Sequence, residues 1–182
     1  MLKPYGGDIA LGYDRARQGA KWDREDRALA ELLSTFRGQT VLDVPCGTGR
    51  FESLYRRLEI TAIGVDISAD MLTLASEKGM PTRNGSIFEL PFEPASFDTA
   101  VCVRLLNWLS VTDVGLALHE LRRVTRNRVI VSIRLGHQRR RSGAQPHDYS
   151  IFASLCAEAR LLQIDTWAID DAGYALIALR PC

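Results

Sequence analysis

Val41-Leu42-Asp43-Val44-Pro45-Cys46-Gly47-Thr48-Gly49-Arg50-Phe51 is the stretch on which the reading of this chain turns. Residues 40–44 read as a short buried strand that runs into a glycine-rich turn. In residues 50–58, Phe51, Leu54, Tyr55 and Leu58 fall on one face of a helix. A strand passing through glycines into a helix start suits a nucleotide. Glycine lets a ligand come close to the backbone, and the helix start offers unpaired N–H groups. A dinucleotide fold asks for G-x-G-x-x-G, but positions 45, 47 and 50 are Pro, Gly and Arg. Two of the three glycines are missing, and D-x-x-C-G-T-G stands in their place.

Length and composition narrow the class. A chain of 182 residues with 46% hydrophobic and 25% charged residues fits one globular domain with a sound core. The net charge of +1 gives no global pull toward nucleic acid or an anionic membrane. The first eight residues lack an apolar signal core, and no run approaches the roughly 18 apolar residues of a membrane span. Cys46, Cys102, Cys156 and Cys182 show no C-x-x-C spacing, so neither zinc nor a disulfide framework is expected. A reduced, cytoplasmic setting fits.

Outward from the quoted stretch, the pattern alternates. Residues 8–21 are charged and weakly amphipathic; residues 24–36 carry Leu29, Leu32, Leu33 and Phe36 at helical spacing, with Gly38 as a stop. Downstream, strands are expected at residues 60–66, 80–84, 98–103 and 128–135. Helices are expected at residues 70–78, 114–124 and 149–159, with a short apolar segment at 105–109. Residues 136–146 are polar and basic, hence a loop, and residues 161–169 and 174–179 close the chain as a hairpin. Alternation of this kind implies an α/β fold, a parallel sheet with helices on both faces and an antiparallel last strand.

The run VLDVPCGTGRF resembles the first motif of class I S-adenosylmethionine-dependent methyltransferases. Four further blocks follow in that family's order: GVDISADML (64–72), ELPFEPASFDTAV (89–101), VRLLNWL with LHELRRVTR, and RVIVSI. Within the class the chain is similar to the small type seen in ubiquinone and menaquinone biosynthesis, over about residues 40–180. The resemblance implies a Rossmann-like, seven-stranded, mostly parallel sheet and S-adenosylmethionine as cofactor. It implies a single domain over 1–182, with residues 1–38 covering the site.

The resemblance assigns cofactor binding to Asp43, Val44, Pro45, Gly47, Thr48, Gly49, Asp66, Ile67, Met71, Ser86, Ile87 and Arg104. Asp43 is expected to orient the methionine amino end, a role consistent with the cost of leaving a carboxylate unpartnered in a buried strand. Asp66 follows Asp43 by 23 positions, close to the spacing of a ribose ligand one βα unit later, and its two oxygens suit two hydroxyls. Met71 and Ile67 are expected near adenine, where the alternative for Met71 is plain core. Two positions depart from the family. Pro45 replaces a glycine and has neither a left-handed option nor an N–H. Ser86 stands where aspartate usually accepts from the adenine amino group, so its bond there is expected to be weaker by about 1 kcal/mol. Ile87 can still pack on the ring.

Methyl transfer from a sulfonium needs alignment and exclusion of water more than acid–base help. No metal is required, and no catalytic residue is fixed by the resemblance. His137, His147 and Tyr149 are candidates because the family builds its substrate site after that strand, and they read equally as loop and cap residues. Arg104 and Asn107 line a cofactor-side or substrate-side wall, while Tyr13 belongs to a Tyr-Asp pair expected to close over the cofactor. His119 lies inside a helix, as a surface or core-edge residue. The favoured acceptor is a small organic or lipid-like molecule. Methylation of RNA or protein, anchored by Arg139-Arg140-Arg141, is an alternative. So is a non-catalytic partner subunit, for which Pro45 and Ser86 speak. Oligomeric state is not legible.

Overall fold

The computed structural model describes residues 12–15, 19–34, 39–136, 144, 146–171 and 173–182. Its strands are β1 (Thr40–Asp43), β2 (Thr61–Asp66), β3 (Thr82–Asn84), β4 (Phe97–Cys102), β5 (Thr125–Arg134), β6 (Leu161–Asp170) and β7 (Tyr174–Pro181). They form one seven-stranded sheet in the order β3-β2-β1-β4-β5-β7-β6. The helices are α1 (Ala20–Ser34), α2 (Glu52–Arg57), α3 (Ala69–Glu77), α4 (Val111–Val124) and α5 (Tyr149–Glu158), with a 3-10 turn at Leu106–Trp108. The chain divides into two compact units, residues 1–91 and 92–182.

In the first unit β1, β2 and β3 are parallel, with Asp43 opposite Gly64 and Asp66 opposite Asn84. Asp43 and Asp66 therefore end neighbouring strands at their carboxyl edge, where open α/β sheets bind ligands. A Cβ on Gly64 would lie 2.7 Å from both Cys46 Sγ and Met80 Sδ, so only glycine lets these two cross the strand. Helix α1 buries Ala28, Leu29, Leu32 and Leu33. Its onset precedes the expected one, and Phe36 and Gly38 lie outside the described residues. Helix α2 is shorter than its apolar face suggests. It starts at Glu52 because Gly49 turns left-handed (φ +71°) and its carbonyl accepts the Glu52 N–H. Ser68 caps α3 by accepting the Met71 N–H at 3.3 Å, a bond of a kind worth about 1 kcal/mol.

In the second unit β4 and β5 are parallel, and β7 runs antiparallel to both β5 and β6. The antiparallel closing hairpin is as the sequence suggested. Two onsets come earlier than the apolar pattern indicates. Ser110 caps α4 through the Asp113 N–H, so the helix begins at Val111. Strand β5 begins at Thr125, directly after α4, with Thr125 paired to Phe97. Asp148 caps α5, its Oδ1 accepting from Ser150 and Ile151 at 2.8 and 3.3 Å. Among the described residues no helix is long and apolar enough to cross a membrane.

Candidate functional site

The glycine-rich turn of the first unit is held by its own backbone and by Asp66. The Val44–Pro45 peptide is cis. The Cys46 N–H donates to the Val65 carbonyl at 2.9 Å and the Gly49 N–H to the Cys46 carbonyl at 3.0 Å. Gly47 (φ +54°) and Gly49 (φ +71°) both occupy the left-handed region, the conformation Pro45 cannot take. At Gly49 a Cβ would sit 3.0 Å from Ala75 Cα, so the turn rests on the α3 backbone. Thr48 is buried.

The two aspartates differ in what surrounds them. Asp66 is 7% exposed; its Oδ2 accepts the Gly47 N–H at 3.0 Å and its Oδ1 the Ser68 N–H at 2.9 Å. Burial raises its pKa, opposed by those N–H donors and that of Ile67. Asp66 thus fastens the glycine turn to the end of β2, a role its spacing did not reveal. With three N–H donors on its four lone-pair sites, the carboxylate keeps acceptor capacity for a ligand on one oxygen. Asp43 is 1% exposed, and its Oδ2 has no hydrogen-bond partner. Burial pushes its pKa up to about 7; Tyr55 and Arg50 pull it down, and the Asp66 charge pushes it up. The Tyr55 hydroxyl is equally buried and outside hydrogen-bond geometry. Burial and the Asp43 and Asp66 charges hold the Cys46 thiol protonated. A buried carboxylate oxygen without a donor, at the carboxyl edge of a parallel sheet, is built to receive a donor or cation.

The segment before α1 reaches this turn. The Tyr13 ring lies 3.9 Å from where a Gly47 Cβ would stand. Asp14 takes the Thr48 hydroxyl on Oδ1 and the Lys78 ammonium on Oδ2, both at 2.5 Å. Behind the turn, Arg50 pairs with Glu25 at 2.6 Å and with Asp26, and its guanidinium lies 4.8 Å from the rings of both Trp22 and Phe51. Apart from the contact between the neighbours Arg50 and Phe51, none of these links was visible in the sequence, because partners 24 to 64 positions apart leave no local pattern. Ile67 is 40% exposed, whereas Met71 (1%) and Ile87 (5%) are inside. Ser86 Oγ accepts the Phe88 N–H at 3.2 Å, closing a turn.

In the second unit the ends of β4 and β5 are tied together. Asn107 Nδ2 donates to the Arg134 carbonyl at 3.1 Å and its Oδ1 accepts the Arg134 N–H at 2.8 Å. His147 is buried; its Nε2 bonds the Leu106 carbonyl at 2.9 Å, and its N–H bonds the Arg134 carbonyl at 3.0 Å. A carbonyl only accepts, so Nε2 carries the proton and His147 is a strut between two rim segments. Tyr149 is 55% exposed at the start of α5, and His119 is exposed on α4. Arg104 adopts φ +66°, a strain of order 1 kcal/mol for a residue with a Cβ. Its N–H donates to Ser132 Oγ at 2.6 Å, which also accepts the Tyr174 hydroxyl at 2.6 Å. Its guanidinium carbon lies 4.8 Å from the Tyr174 ring centroid. His137 and Arg139 to Arg141 lie outside the described residues. Among the described residues no group of side chains fit to hold a metal occurs.

Comparisons with known proteins agree on the family and the fold. A family model described as a methyltransferase domain matches residues 42–133, from β1 to the end of β5. The malonyl-[acyl-carrier protein] O-methyltransferase of Erwinia billingiae is 39% identical over 101 residues, covering 53% of this chain and 39% of that protein. The demethylmenaquinone methyltransferase of Thermobifida fusca is 33% identical over 128 residues, covering 65% of this chain and 53% of that protein. The chain spans about half the length of the curated relatives it matches. The fold matches that of magnesium protoporphyrin IX methyltransferase from Synechocystis with bound S-adenosylhomocysteine. The TM-score is 0.79 at 15% identity, over 94% of this chain and 95% of that one. The Haloferax volcanii putative methyltransferase in complex with the Trm112 activator gives a TM-score of 0.80 at 16% identity, covering 96% of each chain.

Proposed function

The chain belongs to the methyltransferase-domain family, and from that premise we propose that it transfers a methyl group from S-adenosylmethionine to a small organic or lipid-like acceptor. One observation carries the cofactor assignment: the buried Asp43 Oδ2, with no hydrogen-bond partner, beside a left-handed glycine turn fastened by Asp66. The cofactor's amino group supplies the donor that Asp43 lacks. The ribose hydroxyls meet the remaining lone pairs of Asp66, and Gly47 and Gly49 keep the turn free of side chains where the cofactor runs. Val44, Pro45 and Thr48 shape that turn, Ile67, Met71 and Ile87 give the apolar surround of adenine, and Ser86 faces its amino group. Tyr13 covers the turn from the N-terminal side.

When bound, the cofactor brings a methyl group on a positively charged sulfur, an activated leaving group. The chain's own task is to hold the nucleophile in line with that carbon and exclude water. His147, tied to the Leu106 carbonyl, is a strut rather than a base. Relatives named for malonyl-[acyl-carrier protein] and demethylmenaquinone support a small or lipid-like acceptor, while a tRNA methyltransferase of Arabidopsis thaliana, 31% identical over 108 residues, supports RNA as the second reading. Residues 1–182 act as one methyltransferase domain, in a reducing, cytoplasmic setting consistent with the free cysteines Cys46, Cys102, Cys156 and Cys182.

Calorimetric titration with S-adenosylmethionine and S-adenosylhomocysteine tests the reading. Micromolar binding that Asp43→Asn and Asp66→Ala each weaken at least tenfold is the expected result. A folded protein that binds neither compound would instead be a non-catalytic partner subunit.

A further inference from the structure

We propose that Tyr55 is a positioning residue for the cofactor: its hydroxyl is a donor held in reserve for the Asp43 carboxylate, closing onto it as the cofactor's amino group arrives. The inference rests on the methyltransferase reading, which gives Asp43 the amino group and Tyr55 no part. Both residues belong to the first unit. Each is 1% exposed, and the Tyr55 hydroxyl and Asp43 Oδ2 are both sealed from solvent without a hydrogen-bond partner. Each nevertheless acts on the other. The hydroxyl favours the ionised form of Asp43, and the Asp43 charge, with burial, keeps the proton on Tyr55. A donor and an acceptor thus stand close together in the core and are not joined, which is among the costlier arrangements a folded chain can hold. Phenylalanine would fill the same space without that cost, so packing does not account for the hydroxyl.

The backbone keeps Tyr55 in range. Its N–H donates to the Phe51 carbonyl at 2.9 Å, and its carbonyl accepts from Leu58 at 3.2 Å and from Ile60 at 2.9 Å. Its ring meets that of Phe51 edge to face, with centroids 6.3 Å apart. Helix α2 therefore fixes where the residue stands, and the side-chain torsions aim the hydroxyl.

The charges around Asp43 give the hydroxyl its use. Among the described residues, Tyr55 faces it from α2, Arg50 from the start of that helix, and Asp66 from the end of β2, with the Cys46 thiol beside them. Arg50 is shared with Glu25 and Asp26, Asp66 repels, and Cys46 keeps its proton. Burial outweighs the two helpers, so in the empty protein Asp43 holds a proton up to about pH 7. An arriving ammonium needs the anion. Below pH 7 its binding expels the Asp43 proton to solvent, and the Tyr55 O–H and an ammonium N–H become two donors on one carboxylate, which has room for both. Bonds to a charged acceptor are the stronger kind, so the hydroxyl is worth more with the cofactor bound than without it.

The test is calorimetric titration of the whole chain with S-adenosylhomocysteine between about pH 5.5 and 7.5, in buffers of different ionisation enthalpy so that released protons are counted. Near pH 6 the wild type should release about one proton, and its affinity should rise about tenfold per pH unit before levelling near pH 7. Tyr55→Phe keeps the ring and removes the hydroxyl. It should unfold at or above the wild-type temperature, bind about tenfold more weakly at pH 7, and level off about one pH unit higher. Asp43→Asn should release no proton, and adding Tyr55→Phe to it should change affinity less than twofold, because the hydroxyl acts through the carboxylate. A Tyr55→Phe protein with the wild-type affinity and pH profile overturns the proposal, and so does an equal loss with and without the Asp43 carboxylate. A folded wild-type chain that does not bind S-adenosylhomocysteine would remove the methyltransferase reading itself.

Discussion

Asp43→Asn separates the cost of the buried carboxylate from its use. In the wild type the side chain is 1% exposed and burial pushes its pKa up to about 7. An unfolded aspartate titrates near 3.9, roughly three units lower. Between these values the native state binds more protons than the unfolded state, so stability falls as pH rises from about 4 to 7 and then levels off. At about 1.4 kcal/mol per unit, the loss is on the order of 4 kcal/mol. Asparagine has nearly the same shape and does not titrate. The stability difference between variant and wild type should therefore shift in the variant's favour by about that amount between roughly pH 4 and pH 8. Asp26, also raised by burial, titrates in both proteins and cancels in the comparison, whereas Asp66 is coupled to the Asp43 charge and cancels only in part. Urea unfolding midpoints of the two proteins at five pH values measure it directly. Parallel stability curves, with a constant offset, would mean that Asp43 is not the strained group inferred here. The same substitution should weaken S-adenosylmethionine binding, so one residue would trade stability against ligand affinity, as binding sites often do.

Asp66→Ala removes the acceptor of the Gly47 N–H and the proposed ribose ligand together. Cofactor affinity should fall at least tenfold by calorimetry, and an unchanged affinity would dismiss the ribose role. Ser86→Asp should tighten cofactor binding about fivefold, the equivalent of roughly 1 kcal/mol, since aspartate can still accept the Phe88 N–H. No tightening would show that position 86 does not meet adenine. Gly49→Ala must place a Cβ 3.0 Å from Ala75 Cα in a left-handed conformation, and should cost about 2 kcal/mol or more in thermal unfolding. Asp14→Asn breaks the Lys78 pair, whose members are 38% and 47% exposed, so stability should change by less than about 1 kcal/mol. Stopped-flow measurements should nevertheless find faster cofactor release, because Tyr13 loses its neighbouring tether. An unaltered release rate would place Tyr13 outside the cofactor site.

How much of this was legible depended on how local each signal was. The strands announced themselves as β-branched buried runs, and Gly47 and Gly49 proved left-handed where a glycine turn requires it. The start of β5 was missed because Thr125, Arg126 and Asn127 are polar and carry no apolar strand pattern, although they continue the chain straight from α4 into the sheet. The Val44–Pro45 cis peptide has no sequence mark distinguishing it from the trans form. Asp43 and Asp66 could be chosen from spacing, but not their division of labour, with one fastening a loop and the other left without a donor. The Asp14–Thr48–Lys78 link and the left-handed Arg104 depend on partners brought together only by folding. His147 drew notice as a possible base, but its bond to a carbonyl 41 positions away had no mark in the sequence.

Strand β7 is made after β6 but lies between β6 and β5. On a ribosome, β6 therefore emerges with no seat in the growing sheet. Its apolar residues, Leu161 and Ile169 among them, wait for a neighbour that has not yet been synthesised. Only when Tyr174–Pro181 clears the exit tunnel can two strands dock, in one event that couples β5, β7 and β6. A message that stops before β7 would lose two strands rather than one. Its product would carry an orphan β6 as a ready target for chaperones or self-association.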